Sequence, residues 1–491
     1  MILEPHGTAV VLLIGGVLLA VSVLASRFAT RRGIPLALLF LFIGMAAGTD
    51  GIGGIIFEDY HLTFRVGTVA LILILFDGGL NTPLRSLRTS IAPASMLATL
   101  GVVLTAALVA AAAALSGMLP WQHAILLGAV VSSTDAAAVF SILRSSNLNL
   151  RKRTASTLEL ESGANDPMAV ILTMAAATAI AQDSFIGWGS LLEAVVQLAV
   201  GMGLGIAAGY GCSHLLARVR FISGGLYPVL TVALAMLTFA MPSLMWGSGF
   251  LAVYVAAVII GNNRLPHRSS LRRVHDALAW FSQVGLFLMM GLLVTPSELW
   301  RIAGWGLFIA FFLALVARPL AVFLCLLPFR FAPRETLFLG WVGLRGAVPI
   351  LLATIPVLQG VEHAHYIFNV VFFIVVINAI IPGMTVGWAT HRLGLNVSAP
   401  PNPGAVMEID ALYDLDKEVH SFFIQEASSV AGTHICDIPW PDDASALMIV
   451  RGRALITPKG HTEVMVNDHV YVLCNAEDLV FLQLLMGTQE D

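Results

Sequence analysis

The chain has 491 residues, of which 58% are hydrophobic and only 11% charged, with a mean hydropathy of +0.86. A soluble globular protein carries roughly twice that charged fraction and a disordered one is far less apolar, so both classes are excluded. Four scattered cysteines form neither a disulfide framework nor a CxxC metal site, and a net charge of −4 argues against a nucleic-acid partner. The composition is that of an integral membrane protein with several spans.

A crossing helix takes about 20 mostly apolar residues, fewer where it is broken or shielded. Thirteen segments qualify: 8–26, 34–49, 62–80, 91–115, 121–143, 157–181, 190–216, 226–241, 248–262, 276–294, 302–327, 335–358 and 366–391. The first has no basic n-region before it and follows Glu4, so it does not read as a cleaved signal peptide. Loops after odd-numbered segments hold 18 basic residues, among them Arg32, Arg85, Arg88, Arg264 and Arg334; loops after even-numbered ones hold only Arg65 and Arg301. Positive residues stay cytoplasmic, which predicts the N-terminus outside and everything after 392 inside. Segments one to six and eight to thirteen share a pattern of lengths and loops, with one segment between them. That spacing inverts the second copy and predicts inverted repeats, a transporter architecture.

Composition shifts after residue 392. NVSAPPNPG at 396–404 reads as a Pro-rich linker, giving a membrane domain over 1–392, a linker over 393–404 and a soluble domain over 405–491. In the last, VHSFFIQ, ALMIVRG, RALITP and HVYVLCN read as strands and AEDLVFLQLLMG as a helix. The predicted fold is therefore an all-α polytopic membrane protein of about 13 transmembrane helices with a small cytoplasmic α/β domain.

Ionisable groups inside spans each cost about 2.5–3.5 kcal/mol on insertion scales and demand an account. They are Asp77, Asp135, Glu161, Asp166, Arg318 and Arg345, with Glu159 and Glu193 nearer the segment ends. In ESGANDP, helical spacing puts Ser162 and Asp166 on one face and Glu161 and Asn165 on the next. Pro167 removes a backbone N–H and loosens that turn. Ser132, Ser133, Thr134 and Asp135 interrupt the fifth segment, where an unwound helix would expose carbonyls for a cation. Asp135 either balances a half-helix end or joins the ligands, and Thr134 offers a hydroxyl or a carbonyl. Gly343, Gly346 and Pro349 around Arg345 predict a second broken helix in the twelfth segment. A lone arginine in hydrocarbon needs an anion, and pairing it with Asp166 would neutralise the site. Glu161 is therefore assigned to Arg345 as a structural pair, leaving Asp166 free. Asp77 lines an inner vestibule, helps bind the ion or caps a helix end, and Arg318 snorkels or finds a pair partner.

Taken together, SSTDAAAV, ESGANDP, LFDGGL and GLRGAVP resemble the electroneutral cation:proton antiporter-1 family, NhaP type, over roughly 1–392. The resemblance implies two unwound crossing helices, in the fifth and twelfth segments, and a transport site marked by Asn165–Asp166. It implies an ion held by Asp166, Ser162 and the Thr134 backbone, and a buried Glu161–Arg345 pair. Ala136 stands where many members carry Pro, and Asp77 where relatives often carry Glu, which leaves direct ligation by Asp77 open. SSVAGTHICDIPWP, ALMIVRGRALITPKG and NDHVYVLCNAEDLVFLQLLMG resemble a TrkA-C (RCK C-terminal) module, which implies dimerisation and a small-molecule regulatory ligand. No phosphate-cradling Gly-rich loop accompanies it.

The combination resembles the potassium/proton antiporter branch. It implies secondary active, electroneutral exchange of K+, or Na+, for H+ in the inner membrane of a bacterium, as a homodimer in lipid. No cofactor and no resident metal beyond the transported ion are expected, and the chain is not expected to be an enzyme. One carboxylate toggling between H+ and a monovalent cation, with Asn165 adding no second charge, gives one-to-one exchange. Only the occupied, neutral site crosses between the two faces cheaply, and that couples the fluxes. The runner-up is a cation channel gated by its cytoplasmic domain, for which no filter loop is found. An intramembrane aspartyl protease with an Asp77–Asp166 dyad is the third reading, and GAND fits its GxGD pattern poorly.

Overall fold

The computed structural model describes residues 6–31, 34–84, 89–146, 148–184, 187–263, 265, 267–397, 417–475, 477–487 and 489–490. Arg32, Arg85, Arg88 and Arg264, most of the expected linker and the start of the expected soluble domain lie outside the described residues. The chain separates into a large helical unit and a C-terminal unit that holds the sheet.

Every apolar segment read from the sequence falls on a helix or, in two cases, on a pair of helices. In chain order they are α1 (His6–Arg31), α2 (Leu36–Ala47), α3 (Tyr60–Asn81), α4 (Ile91–Leu115), α5 (Trp121–Val130) and α6 (Ala136–Ser145). Next come α7 (Lys152–Ala181), α8 (Trp188–Arg218), α9 (Leu226–Leu244), α10 (Gly249–Asn262) and α11 (Arg268–Leu292). The unit closes with α12 (Pro296–Phe329), α13 (Pro333–Trp341), α14 (Ala347–Leu358) and α15 (Ala364–Arg392). Among the described residues, eight helices are long and apolar enough to cross a bilayer, and α2, α10 and α14 are shorter apolar helices. The short ones are the ones neighbours shield: all but three of the fourteen residues of α10 are buried, against α3 and α8.

Local chemistry explains the interruptions. Between α5 and α6, the Ser132 hydroxyl turns back to the Ala129 carbonyl at 2.6 Å, competing with helical bonding. Between α13 and α14 lie Gly343 and Gly346, the residue type that least resists leaving a helix. Pro167 does not break α7, which runs from Lys152 to Ala181 with the proline inside it. Close packing does the rest. A Cβ on Gly201, Gly205 or Gly209 of α8 would come within 2.9 Å of α10 or the Ser248 that caps it, as small-residue spacing requires.

The C-terminal unit carries β1 (Lys417–Phe423), β2 (Ser445–Arg451), β3 (Ala454–Ile456), β4 (Asp468–Asn475), a helix α16 (Leu479–Met486) and β5 (Gln489–Glu490). The strands form one antiparallel sheet in the order β3-β2-β4-β1-β5. Phe422, Ile449, Val470, Val472 and Leu482 form its buried core. Asp468 is wholly buried and receives Arg451 in a two-pronged ion pair, Nε and Nη2 each at 2.8 Å. That carboxylate holds the half-buried Arg451 guanidinium above its ordinary pKa.

Candidate cation site at the crossing of two broken helices

The two interruptions meet. Asp135 at the end of the first break donates its backbone N–H to the carbonyl of Leu344 in the second, at 2.8 Å. Gly346 makes that approach possible, because a Cβ there would stand 2.3 Å from the Asp135 Oδ2. The Asp135 carboxylate caps α6, its Oδ1 accepting from the Ala138 N–H at 3.1 Å, so it meets the positive end of the half-helix.

Helix α7 runs beside this crossing and aims one face at it. The Ser162 hydroxyl donates to the Thr134 carbonyl at 2.7 Å and accepts from the Ala136 N–H at 2.9 Å. The Asn165 amide donates to the Thr134 hydroxyl at 2.5 Å. Ser162 and Asn165, three residues apart, therefore both serve Thr134. Asp166 follows, 7% exposed, its Oδ1 buried without a hydrogen-bond partner among the described residues. Asp135 and Arg345 are charged groups within electrostatic range of it. The structure thus brings Thr134, Asp135, Ser162, Asn165 and Asp166 to one place, where a buried carboxylate stands among hydroxyl and carbonyl oxygens. Oxygen-rich, partly neutralised surroundings of this kind suit a hard monovalent cation or a proton.

The buried pair differs from the expectation. Glu161 is paired with Arg318, whose Nη2 lies 2.6 Å from its Oε1, both side chains at most 3% exposed. Arg345 instead donates from Nη1 to the carbonyl oxygens of Ser132, at 2.7 Å, and Ser133. The expectation assumed that a buried arginine needs a carboxylate. The unwound backbone of the first break supplies carbonyl acceptors instead, and a π-helical turn at Leu313–Ala317 precedes Arg318 and resets its facing. Arg345 therefore staples one break to the other.

Asp77 sits elsewhere. It accepts from the Asn81 amide at 3.1 Å and lines a cavity of about 150 Å³ between α3, α6 and α11. Ala138, Ser141, Arg144, Asp276 and Gln283 share that lining. Asp77 therefore stands on the wall of this cavity, apart from the hydrogen bonds of the crossing.

Comparison with known proteins follows the same lines. Residues 16–392 match the family described as Sodium/hydrogen exchanger, transmembrane, and residues 419–483 match the TrkA-C domain. The chain belongs to the sodium/hydrogen exchanger family. It is 42% identical to a K(+)/H(+) antiporter NhaP of Alkalimonas amylolytica over 97% of this chain and 83% of that protein. A K(+)/H(+) antiporter NhaP2 of Shewanella oneidensis is 38% identical with the same two coverages. Among solved structures, the sodium proton antiporter MjNhaP1 of Methanocaldococcus jannaschii superposes with a TM-score of 0.69 at 22% identity. The match covers 78% of this exchanger and 99% of that chain, and it shows the shared fold.

Sequence reasoning left one buried charge without a named partner and passed over one residue of the cavity. Arg318 was noted without its partner, yet it lies nine residues from the nearer end of its apolar segment, too deep to snorkel. Asp276, which shares the cavity with Asp77, opens a segment and looks from sequence like a helix-end charge.

Proposed function

We propose that this exchanger carries a monovalent cation, K+ in preference to Na+, in exchange for H+, one for one and without net charge movement. The buried charge at the crossing carries the reading. Glu161 pairs with Arg318, Asp166 lies in the field of Arg345 and the half-buried Asp135 caps α6 beside them, so with all five ionised the constellation holds a net charge of −1. One proton or one monovalent cation on Asp166 neutralises it, and a neutral constellation crosses a bilayer interior at far less cost than a charged one. Asn165 and Ser162 position Thr134, whose oxygens together with Asp166 form the ligand set. Asp135 sets the local field from its capping position, and Asp77 lies on the approach.

Preference for K+ is supported by relatives of 37–42% identity over 97% of this chain, which are named K(+)/H(+) antiporters. A more distant one, 26% identical, is named a Na(+)/H(+) antiporter. No observation favours the gated channel. The domain division at 1–392, 393–404 and 405–491 belongs to the same reading, as do an outside N-terminus, an inner-membrane location, a homodimer and a small-molecule ligand of the TrkA-C domain.

Proteoliposomes loaded with K+, Na+ or Li+ test it. Wild-type protein should acidify or alkalinise the lumen on a K+ gradient with no dependence on membrane voltage, and Asp166→Asn should abolish that exchange. Retained exchange in Asp166→Asn, or current through the wild type, overturns the reading.

A further inference from the structure

Helix α15 ends in a way that its own termination does not require. Gly394 takes a left-handed conformation at φ +65°, reversing the chain after Arg392 as a C-terminal glycine commonly does. Leu395 then turns inward, 3% exposed, into a core shared with Leu143 and Ile142 of α6, Leu148, Leu344 of the second break and Val386 of α15. The following residues bond to the loop that joins α6 to α7. Asn396 Oδ1 accepts from the Asn149 N–H at 3.1 Å, and the Val397 N–H donates to the Asn149 carbonyl at 2.8 Å. Asn396 and Leu150 are antiparallel bridge partners.

The loop so held is short and strategically placed. Six residues separate Ser145, the end of α6, from Lys152, the start of α7. One end of that loop leads back through α6 to Asp135. The other leads along α7 to Ser162, Asn165 and Asp166. The start of α7 is also anchored on its far side, where Arg153 donates to the Phe329 carbonyl at 2.7 Å and lies over the Phe331 ring at 4.0 Å. Arg151 pairs with Glu335 of α13 at 3.6 Å. The end of α6 and the starts of α7 and α13 are thereby fixed to one another, and the strap 395–397 is the member that continues covalently toward the C-terminal sheet.

We propose that Leu395–Val397 is a coupling strap, through which the state of the C-terminal unit sets the position of α6 and α7 and so the working range of the exchange site. This rests on Asp166 being that site. Leu395 is the apolar plug, and the Asn396 and Val397 bonds are the register pins. Asn396 is a positioning residue, without contact to the ion.

The experiment uses the full chain in proteoliposomes, measuring K+/H+ exchange against pH and K+ concentration. Asn396→Ala removes the acceptor and Val397→Pro removes the donor; each should shift the apparent K+ affinity or the pH midpoint about fivefold, the factor one net hydrogen bond represents. Asn396→Asp keeps the acceptor and should stay near wild type. In a Cys436→Ser background, Leu150→Cys with Asn396→Cys places a disulfide across the bridge pair, whose spacing suits one. The tail is perturbed by Arg451→Met. Its effect on exchange should be present in the reduced chain and lost when the strap is locked.

Wild-type pH and K+ profiles in Asn396→Ala, no effect of Arg451→Met in the reduced chain, or an undiminished effect in the locked chain would each overturn the strap. Because Asn396 and Val397 are exposed, their single variants leave the core untouched; Leu150 packs against it, so the oxidised pair is compared with its own reduced form and tests the strap independently of the single variants. Asp166→Asn in the same vesicles separates the two readings: retained exchange there removes the site, whereas the strap outcomes bear only on coupling.

Discussion

Replacing Arg318 by Met strands the Glu161 carboxylate in a site where neither partner is more than 3% exposed. At the observed 2.6 Å and an effective dielectric of about 20, the attraction that is lost amounts to about 6 kcal/mol. Desolvation has already consumed most of that in the intact protein, so the net cost is smaller. Breaking one side of a buried pair typically costs about 3–5 kcal/mol, because the remaining charge has nothing to offset it. Removing both charges together with residues of similar volume is by contrast close to neutral. The prediction is therefore a pattern across a double-mutant cycle. Arg318→Met and Glu161→Gln should each lower the melting temperature of the detergent-solubilised protein by several degrees, about 2–4 °C per kcal/mol or less at this chain length. The combination Glu161→Gln with Arg318→Met should recover much of the loss. Glu161→Gln with Arg345→Met should recover none, since Arg345 holds the carbonyls of Ser132 and Ser133 rather than the carboxylate. Recovery in the Arg345 combination and not in the Arg318 one would refute this assignment of partners.

Other consequences are as direct. Gly346→Ala would push a methyl group to 2.3 Å from the Asp135 Oδ2, so the crossing must open and exchange should fall at least tenfold; unchanged turnover in proteoliposomes would contradict the crossing geometry. In the C-terminal unit, Arg451→Met leaves the wholly buried Asp468 uncompensated and should destabilise that sheet by about 2–4 kcal/mol, seen as earlier local unfolding in hydrogen exchange. The pH sign follows from the Arg451 pKa, which the Asp468 carboxylate raises. A raised cationic group contributes below its unfolded pKa and loses its contribution only as pH climbs through the folded one. The destabilisation should accordingly be constant between about pH 6 and pH 9; a dependence in that window would point to a different titrating group.

Much of this molecule is legible in the sequence because the bilayer penalises exceptions. Apolar run length located every helical segment, and the interruptions at Ser132–Asp135 and Gly343–Gly346 showed where two helices break, since hydroxyls and glycines are costly to keep helical there. The charged residues away from the ends of those runs were few enough to point to a site region. The strands of the C-terminal sheet followed from alternation, to within a residue or two of β1, β2 and β4.

Pairing was another matter. Spacing along α7 put Ser162 with Asp166 and Glu161 with Asn165, but what Ser162 and Asn165 share is Thr134, in the break between α5 and α6. Nor does spacing say that a guanidinium would be satisfied by carbonyls released from an unwound segment 212 residues away. A sequence fixes how much polar chemistry must be buried and which helix bears each piece of it. Which donor meets which acceptor depends on the rotation of each helix and on the crossing of the two breaks, and long-range packing alone sets those. That is why Asp166 could be singled out from the chain as the carboxylate proposed for exchange, while Arg318 as the partner of Glu161, Arg345 as the staple between the breaks and Asn396 as a pin on the α6–α7 loop could be read only from the fold.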